Sequence, residues 1–130
     1  MELGTKRRET ILVVDDSYAI TTLVKEFLEF EGYTVLTAGD AEAAIQLYQD
    51  NQPTVALLLT DVLMPKMNGL ELADHILRLE PQMRVLLMSG TEGASRGFGC
   101  IAKPFSPADV IGRVGELLEA RQQARVVATA

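Results

Sequence analysis

Val55-Ala56-Leu57-Leu58-Leu59-Thr60-Asp61 is an unbroken apolar run that ends on a hydroxyl and a carboxylate. It lacks the apolar–polar alternation of a half-exposed strand, so both of its faces must be covered. That is how a strand inside a parallel sheet reads, with helices packed above and below it. Working outward, Thr10 to Val14 has the same character and runs into Asp15-Asp16. Arg84 to Met88 runs into Ser89, and Cys100 to Ala102 into Lys103-Pro104. Thr34 to Ala38 is a further short strand.

Helical segments fill the intervals. Ser17 is a cap for a helix to about Glu31, whose apolar residues Leu23, Phe27 and Phe30 recur at helical spacing and which Gly32 ends. Asp40 caps Ala41 to Asp50, and Asn51-Gln52-Pro53 stops that helix. Asn68 and Glu71 form a capping pair for a helix through Leu79, before Pro81. Ser106-Pro107-Ala108-Asp109 supplies a hydroxyl cap, a proline at the first helical position and an acid in the first turn, opening a last helix to about Arg121. The alternation predicts an α/β fold, a doubly wound parallel sheet with right-handed crossovers.

One interval breaks the pattern. Gly90 to Ala102 is short for a parallel crossover and carries Gly90, Gly93, Gly97 and Gly99. A loop, or one or two helical turns, is expected there in place of a full fourth helix.

Composition narrows the function. The chain of 130 residues fits one domain, with residues 1–9 as an N-terminal tail, 10–121 as the folded unit and 122–130 as a tail or helix extension. The net charge of −6 argues against direct nucleic-acid binding. No stretch has the length of a membrane span, and the start lacks a secretory apolar segment. A single cysteine, Cys100, excludes an internal disulfide and fits a reducing cytoplasm. Its simplest role is that of a small strand residue. His75, the only histidine, reads as an exposed or half-buried helix residue, and Met64, Met67, Met83 and Met88 as packing and loop residues.

Asp15, Asp16, Asp61, Ser89 and Lys103 all stand where an apolar run stops. If those runs are neighbouring parallel strands, the five groups converge on the sheet edge where open α/β folds place their ligands. Three carboxylates together repel one another and ask for a hard cation such as Mg²⁺.

With Asp15-Asp16, Asp61-Val62-Leu63-Met64-Pro65, Gly69, Ser89-Gly90 and Lys103-Pro104-Phe105 in this order, the chain resembles a two-component response-regulator receiver domain over roughly Thr10 to Arg121. The resemblance implies a flavodoxin-like five-stranded sheet of order 2-1-3-4-5. It implies that Asp61 accepts a phosphoryl group from a partner histidine kinase or phosphotransfer protein. Asp16, Asp61 and the backbone carbonyl of Leu63 would ligate Mg²⁺, with Asp15 acting through a metal-bound water. Lys103 would pair with the acceptor carboxylate and then with a phosphoryl oxygen, Ser89 would donate to another, Gly69 would allow the turn after Asp61, and the bond before Pro104 would be cis. The protein would be a signalling switch rather than an enzyme, catalysing only its own phosphorylation and slow dephosphorylation, with a protein target downstream.

Two departures from the family pattern coincide. The aromatic usual three residues before the lysine is Cys100 here, and Phe98 would share its side only if the strand extended that far. The shortened crossover is the second. It is expected to leave a strip of Val110, Val114 and Leu117 uncovered, for a partner or a homodimer. Leu63 and Thr91, two beyond Asp61 and Ser89, are neither acid nor amide, which implies slow hydrolysis of the acyl phosphate. The competing readings are an interaction module that no longer switches and a Mg²⁺-dependent aspartyl phosphohydrolase. The latter lacks the D-x-D pair after the first strand, because Asp15 and Asp16 are adjacent.

Overall fold

The computed structural model describes residues 9–52, 54–90 and 97–129, and side-chain surroundings as far as residue 119. The elements follow in the order β1 (Thr10–Val14), α1 (Tyr18–Phe30), β2 (Thr34–Ala38), α2 (Ala41–Asp50), β3 (Val55–Asp61), α3 (Gly69–Leu79), β4 (Arg84–Ser89), β5 (Gly99–Ala102) and α4 (Pro107–Thr129). The five strands form one sheet, ordered β2-β1-β3-β4-β5, and every pairing is parallel. β1 and β3 are buried along their whole length, as their unbroken apolar sequences require.

Each helix begins where the sequence supplies a cap. Ser17 Oγ accepts from the Ile20 N–H, and Asp40 Oδ1 from the Ala43 N–H. Asn68 and Glu71 exchange side-chain and backbone bonds reciprocally, as do Ser106 and Asp109. At the other end of α1, Gly32 takes φ +97°. Its N–H reaches the Glu29 carbonyl while that of Tyr33 reaches Leu28, the paired closure that favours glycine just beyond a helix. The expected stop at Pro53 lies outside the described residues; the described cap of α2 is Asn51.

The sheet divides two apolar layers. On one face α2 and α3 cover Leu12, Val14, Leu58, Val85 and Leu87. On the other, α1 and α4 cover Ile11, Val13, Leu57, Leu59, Leu86 and Met88. The residue expectations for two helices need correction. In α1 the buried residues are Thr21, Val24 and Leu28, whereas Leu23 and Phe30 are exposed and Phe27 is only half-buried. Two strips at helical spacing run side by side on this helix, and the less aromatic one faces the sheet. In α4, Val110 and Val114 are fully buried and Leu117 is partly covered, so no open strip exists there. The reason is topological: α4 packs beside α1, on the face opposite α2 and α3, where a shortened β4–β5 crossover uncovers nothing.

No helix is found between β4 and β5 among the described residues; residues 91–96 lie outside them. β5 begins at Gly99, yet Phe98 and Cys100 both pack against the α2–α3 layer. The aromatic missing at position 100 therefore has a substitute on the same side of the sheet. α4 continues past Arg121 to Thr129.

Candidate functional site

The carboxyl ends of the strands carry the polar groups. Backbone bonds just beyond the strands pin their positions: Asp15 N–H to the Ala38 carbonyl, Val62 N–H to Met88, and Lys103 N–H to Ser89. Asp15 and Asp16 leave β1, Asp61 closes β3, Ser89 closes β4 and Lys103 follows β5. The β2-β1-β3-β4-β5 order makes these ends neighbours. One carboxylate oxygen from each of Asp15, Asp16 and Asp61 lies within 4.8 Å of the others. Lys103 Nζ stands 2.9 Å from Asp15 Oδ2 and 3.3 Å from Asp61 Oδ1. Ser89 is buried, 4 % exposed, on the strand next to Asp61.

The three acids are not equivalent. Asp15 is buried, and both of its oxygens are engaged: Oδ1 accepts from the Ser17 N–H at 2.9 Å and Oδ2 from Lys103. Asp16 is exposed, and Asp61 is buried with an edge still open. Burial pushes the Asp61 carboxyl above the usual carboxylate range, and the charge of Asp15 adds to the push. Lys103 draws it down by charge and hydrogen bond without cancelling the rise, and Asp16 raises it a little further. For Lys103, burial works to lower the ammonium's pKa. Its hydrogen bond to Asp15 and the charges of Asp15 and Asp61 outweigh that, so it is held above its ordinary value. Three acids thus face one ammonium, leaving negative charge uncompensated.

This donor set fits a small hard cation. The ligand atoms on offer are carboxylate oxygens, clustered closely enough to share one ion, and the surplus of negative charge favours it. Asp16 and Asp61 have free capacity for direct ligation, whereas Asp15 has its oxygens committed.

In the loop after Asp61, Lys66 takes a left-handed conformation, φ 67°. Gly69 opens α3 and is needed for close approach: a Cβ there would overlap the Asp61 carbonyl oxygen and stand 2.9 Å from the Asp61 carbonyl carbon. The Lys103-Pro104 peptide is cis. Leu63 is 67 % exposed on the rim of the loop. Thr91 lies outside the described residues. His75 is half-buried on α3.

The sequence reading overlooked Arg113 on α4, whose Nη1 donates to the Cys100 carbonyl at 3.1 Å. The available signal was weak: a lone arginine between two core valines, and a glycine at position 99.

The sequence model of the response regulator receiver domain matches residues 11–115. The chain belongs to this family. Among curated relatives, the receiver domain is 34 % identical over 115 residues to the transcriptional regulatory protein CpxR of Klebsiella pneumoniae, covering 83 % of this chain and 48 % of that protein. It is 34 % identical over 116 residues to the alkaline phosphatase synthesis transcriptional regulatory protein PhoP of Bacillus subtilis, covering 83 % and 48 %. The chain spans about half the length of these relatives. Among solved structures, the CheY-like receiver domain protein of Methanospirillum hungatei superposes with a TM-score of 0.81 at 29 % identity, covering 91 % of this chain and 99 % of that one. NtrX of Brucella abortus gives 0.85 at 31 % identity, covering 94 % of this receiver domain and 30 % of NtrX. Among the described residues no helix is long and apolar enough to cross a membrane.

Proposed function

We propose that this receiver domain is a phosphorylation-controlled signalling switch working in the cytoplasm, with Asp61 as its phosphoacceptor. The observation that carries the reading is the convergence of Asp61 with Asp15, Asp16 and Lys103 at one sheet edge. A carboxylate oxygen of Asp61 attacks phosphorus of a phosphohistidine on a histidine kinase or phosphotransfer protein. The new O–P bond forms as the P–N bond breaks, and the imidazole leaves with the electron pair. Transfer of this kind depends on alignment and on neutralising charge around phosphorus.

Each residue has a task in that step. Burial on β3 and the bond network of the neighbouring strands hold Asp61 in place. Asp15 orients Lys103, whose ammonium is within reach of a phosphoryl oxygen on Asp61. Ser89 offers a hydroxyl from the adjacent strand to a second phosphoryl oxygen. Asp16, Asp61 and the Leu63 carbonyl would hold Mg²⁺, with Asp15 reaching it through water; when bound, the ion neutralises charge on the acids and the phosphoryl oxygens. The catalysis is confined to the domain's own phosphorylation and dephosphorylation. The unit responsible spans residues 10–121, and its output reaches a downstream protein.

Intact-mass measurement after incubation with acetyl phosphate and Mg²⁺ tests the reading. One phosphoryl group is expected on the wild type and none on Asp61→Asn. Continuous turnover of a small phosphate ester without a stable adduct would instead mark a phosphohydrolase.

A further inference from the structure

β5 is a four-residue edge strand, bonded to β4 alone. Along a strand, successive peptide groups point to opposite sides, so alternate residues bond to the same neighbour. The Lys103 N–H donates to the Ser89 carbonyl of β4. By alternation the Cys100 carbonyl faces the open edge, and it accepts from Arg113 Nη1 at 3.1 Å. The guanidinium lies in the space above Gly99, where a Cβ would stand 2.7 Å from Arg113 Nη2 and 3.4 Å from Leu86 Cδ1. Arg113 lies between Val110 and Val114, both fully buried, on the part of α4 that packs against the sheet. Its Nε stands 3.6 Å from Glu116 on the same helix.

We propose that Arg113 relays the state of the phosphoacceptor site from β5 to α4. The proposal rests on the reading of Asp61 given above. Cys100 is three residues from Lys103, whose ammonium stands between Asp15 and Asp61. A phosphoryl group on Asp61 adds negative charge beside that ammonium and draws it toward new oxygens. β5 has a ladder on one side only, so its backbone is held by β4 on that side and by Arg113 at the open edge. Movement of the strand shifts the Cys100 carbonyl against the guanidinium, and the first turns of α4 feel the change. No aromatic at position 100 is needed for this route.

The test uses the full chain as wild type, Arg113→Leu and Gly99→Ala, each free and with Mg²⁺ and beryllofluoride, an analogue of the phosphoryl group. Fluorine NMR reads occupancy at Asp61, and amide hydrogen exchange reads residues 109–116 of α4. Gly99→Ala displaces the guanidinium without removing it, so the relay is tested even if Arg113→Leu folds poorly. The expected result is equal occupancy in all three proteins. On loading, α4 exchange should change by about fivefold or more in the wild type and by less than about twofold in both variants. A full α4 response in either folded variant, or none in a loaded wild type, overturns the relay while leaving the acceptor reading intact. If the wild type does not bind beryllofluoride, or Asp61→Asn binds it equally, the acceptor reading fails and the relay fails with it.

Discussion

Gly69 presses against the backbone of Asp61 so closely that any side chain at 69 would collide with the Asp61 carbonyl. The first residue of α3 thereby fixes the height of the acceptor in the site. Gly69→Ala must push the Asp61–Val62 backbone away, since the atoms it meets are backbone atoms with no rotamer to change. A loss of about 1–3 kcal/mol of stability is expected, the usual cost of overpacking. Labelling by acetyl phosphate should fall as well. Urea unfolding and intact mass measure the two effects.

Asp61→Asn should be more stable than the wild type at neutral pH. The Asp61 carboxyl is held above its usual range by burial and by Asp15, so the folded state binds its proton more tightly than the unfolded chain does. The stability this contributes is present at low pH and is lost as pH rises through the carboxylate range. A neutral amide removes that loss. A gain on the order of 1 kcal/mol at pH 7, shrinking toward pH 4 (about the carboxylate range), is expected from urea midpoints at unchanged slope.

Lys103→Met should act in the opposite direction. It leaves buried Asp15 and Asp61 without their ammonium. A loss of about 2 kcal/mol is expected at neutral pH, less than for a fully enclosed pair because a quarter of the lysine side chain is exposed. In the wild type, the raised Lys103 pKa means that the pair's stabilisation is complete below the unfolded-state lysine value. It fades as pH rises through the folded value. Thermal unfolding of both proteins from neutral to strongly alkaline pH should show their difference narrowing at the alkaline end.

Mg²⁺ should stabilise the folded domain in proportion to the logarithm of its concentration once the site fills, by about 2.7 kcal/mol at a hundredfold excess over Kd. Asp16→Asn, which changes an exposed acid outside the core, should retain the fold and lose most of this response. An unaltered Mg²⁺ dependence in that variant would remove Asp16 from the ligand set.

Self-dephosphorylation should be slow. Leu63 offers no acid or amide to orient an attacking water, and its side chain is largely exposed at the rim. Phosphate release followed after removal of the donor should take minutes or longer. A half-life of seconds would contradict the expectation.

β1, β3 and β4 were legible because they are apolar on both faces and each runs into a group of distinct chemistry, as β3 does at Asp61. The helix starts were legible because Ser17, Asp40, Asn68 and Ser106 are capping residues whose bonds are local. Which side of α1 faces inward was not, because Leu23 and Phe30 lie at the same spacing as Thr21, Val24 and Leu28 and are more apolar. The burial of Val110 and Val114 depended on which face of the sheet α4 occupies, a property of topology rather than of α4's own sequence. Gly69 was expected to allow the turn after Asp61, and the Asp61 carbonyl for which it makes room is visible only in the structure.

β1 lies between β2 and β3 and is buried from Thr10 to Val14. During translation it emerges before either neighbour, so an interior strand of the sheet waits for both of its partners to be synthesised. Its second partner is complete only when Asp61 has left the ribosome. Until then the side of β1 that pairs with β3 has no partner, an unpaired strand edge of the kind that makes partly folded chains prone to aggregate. The acid cluster cannot assemble any earlier, and the ammonium that neutralises it arrives later still, with Lys103.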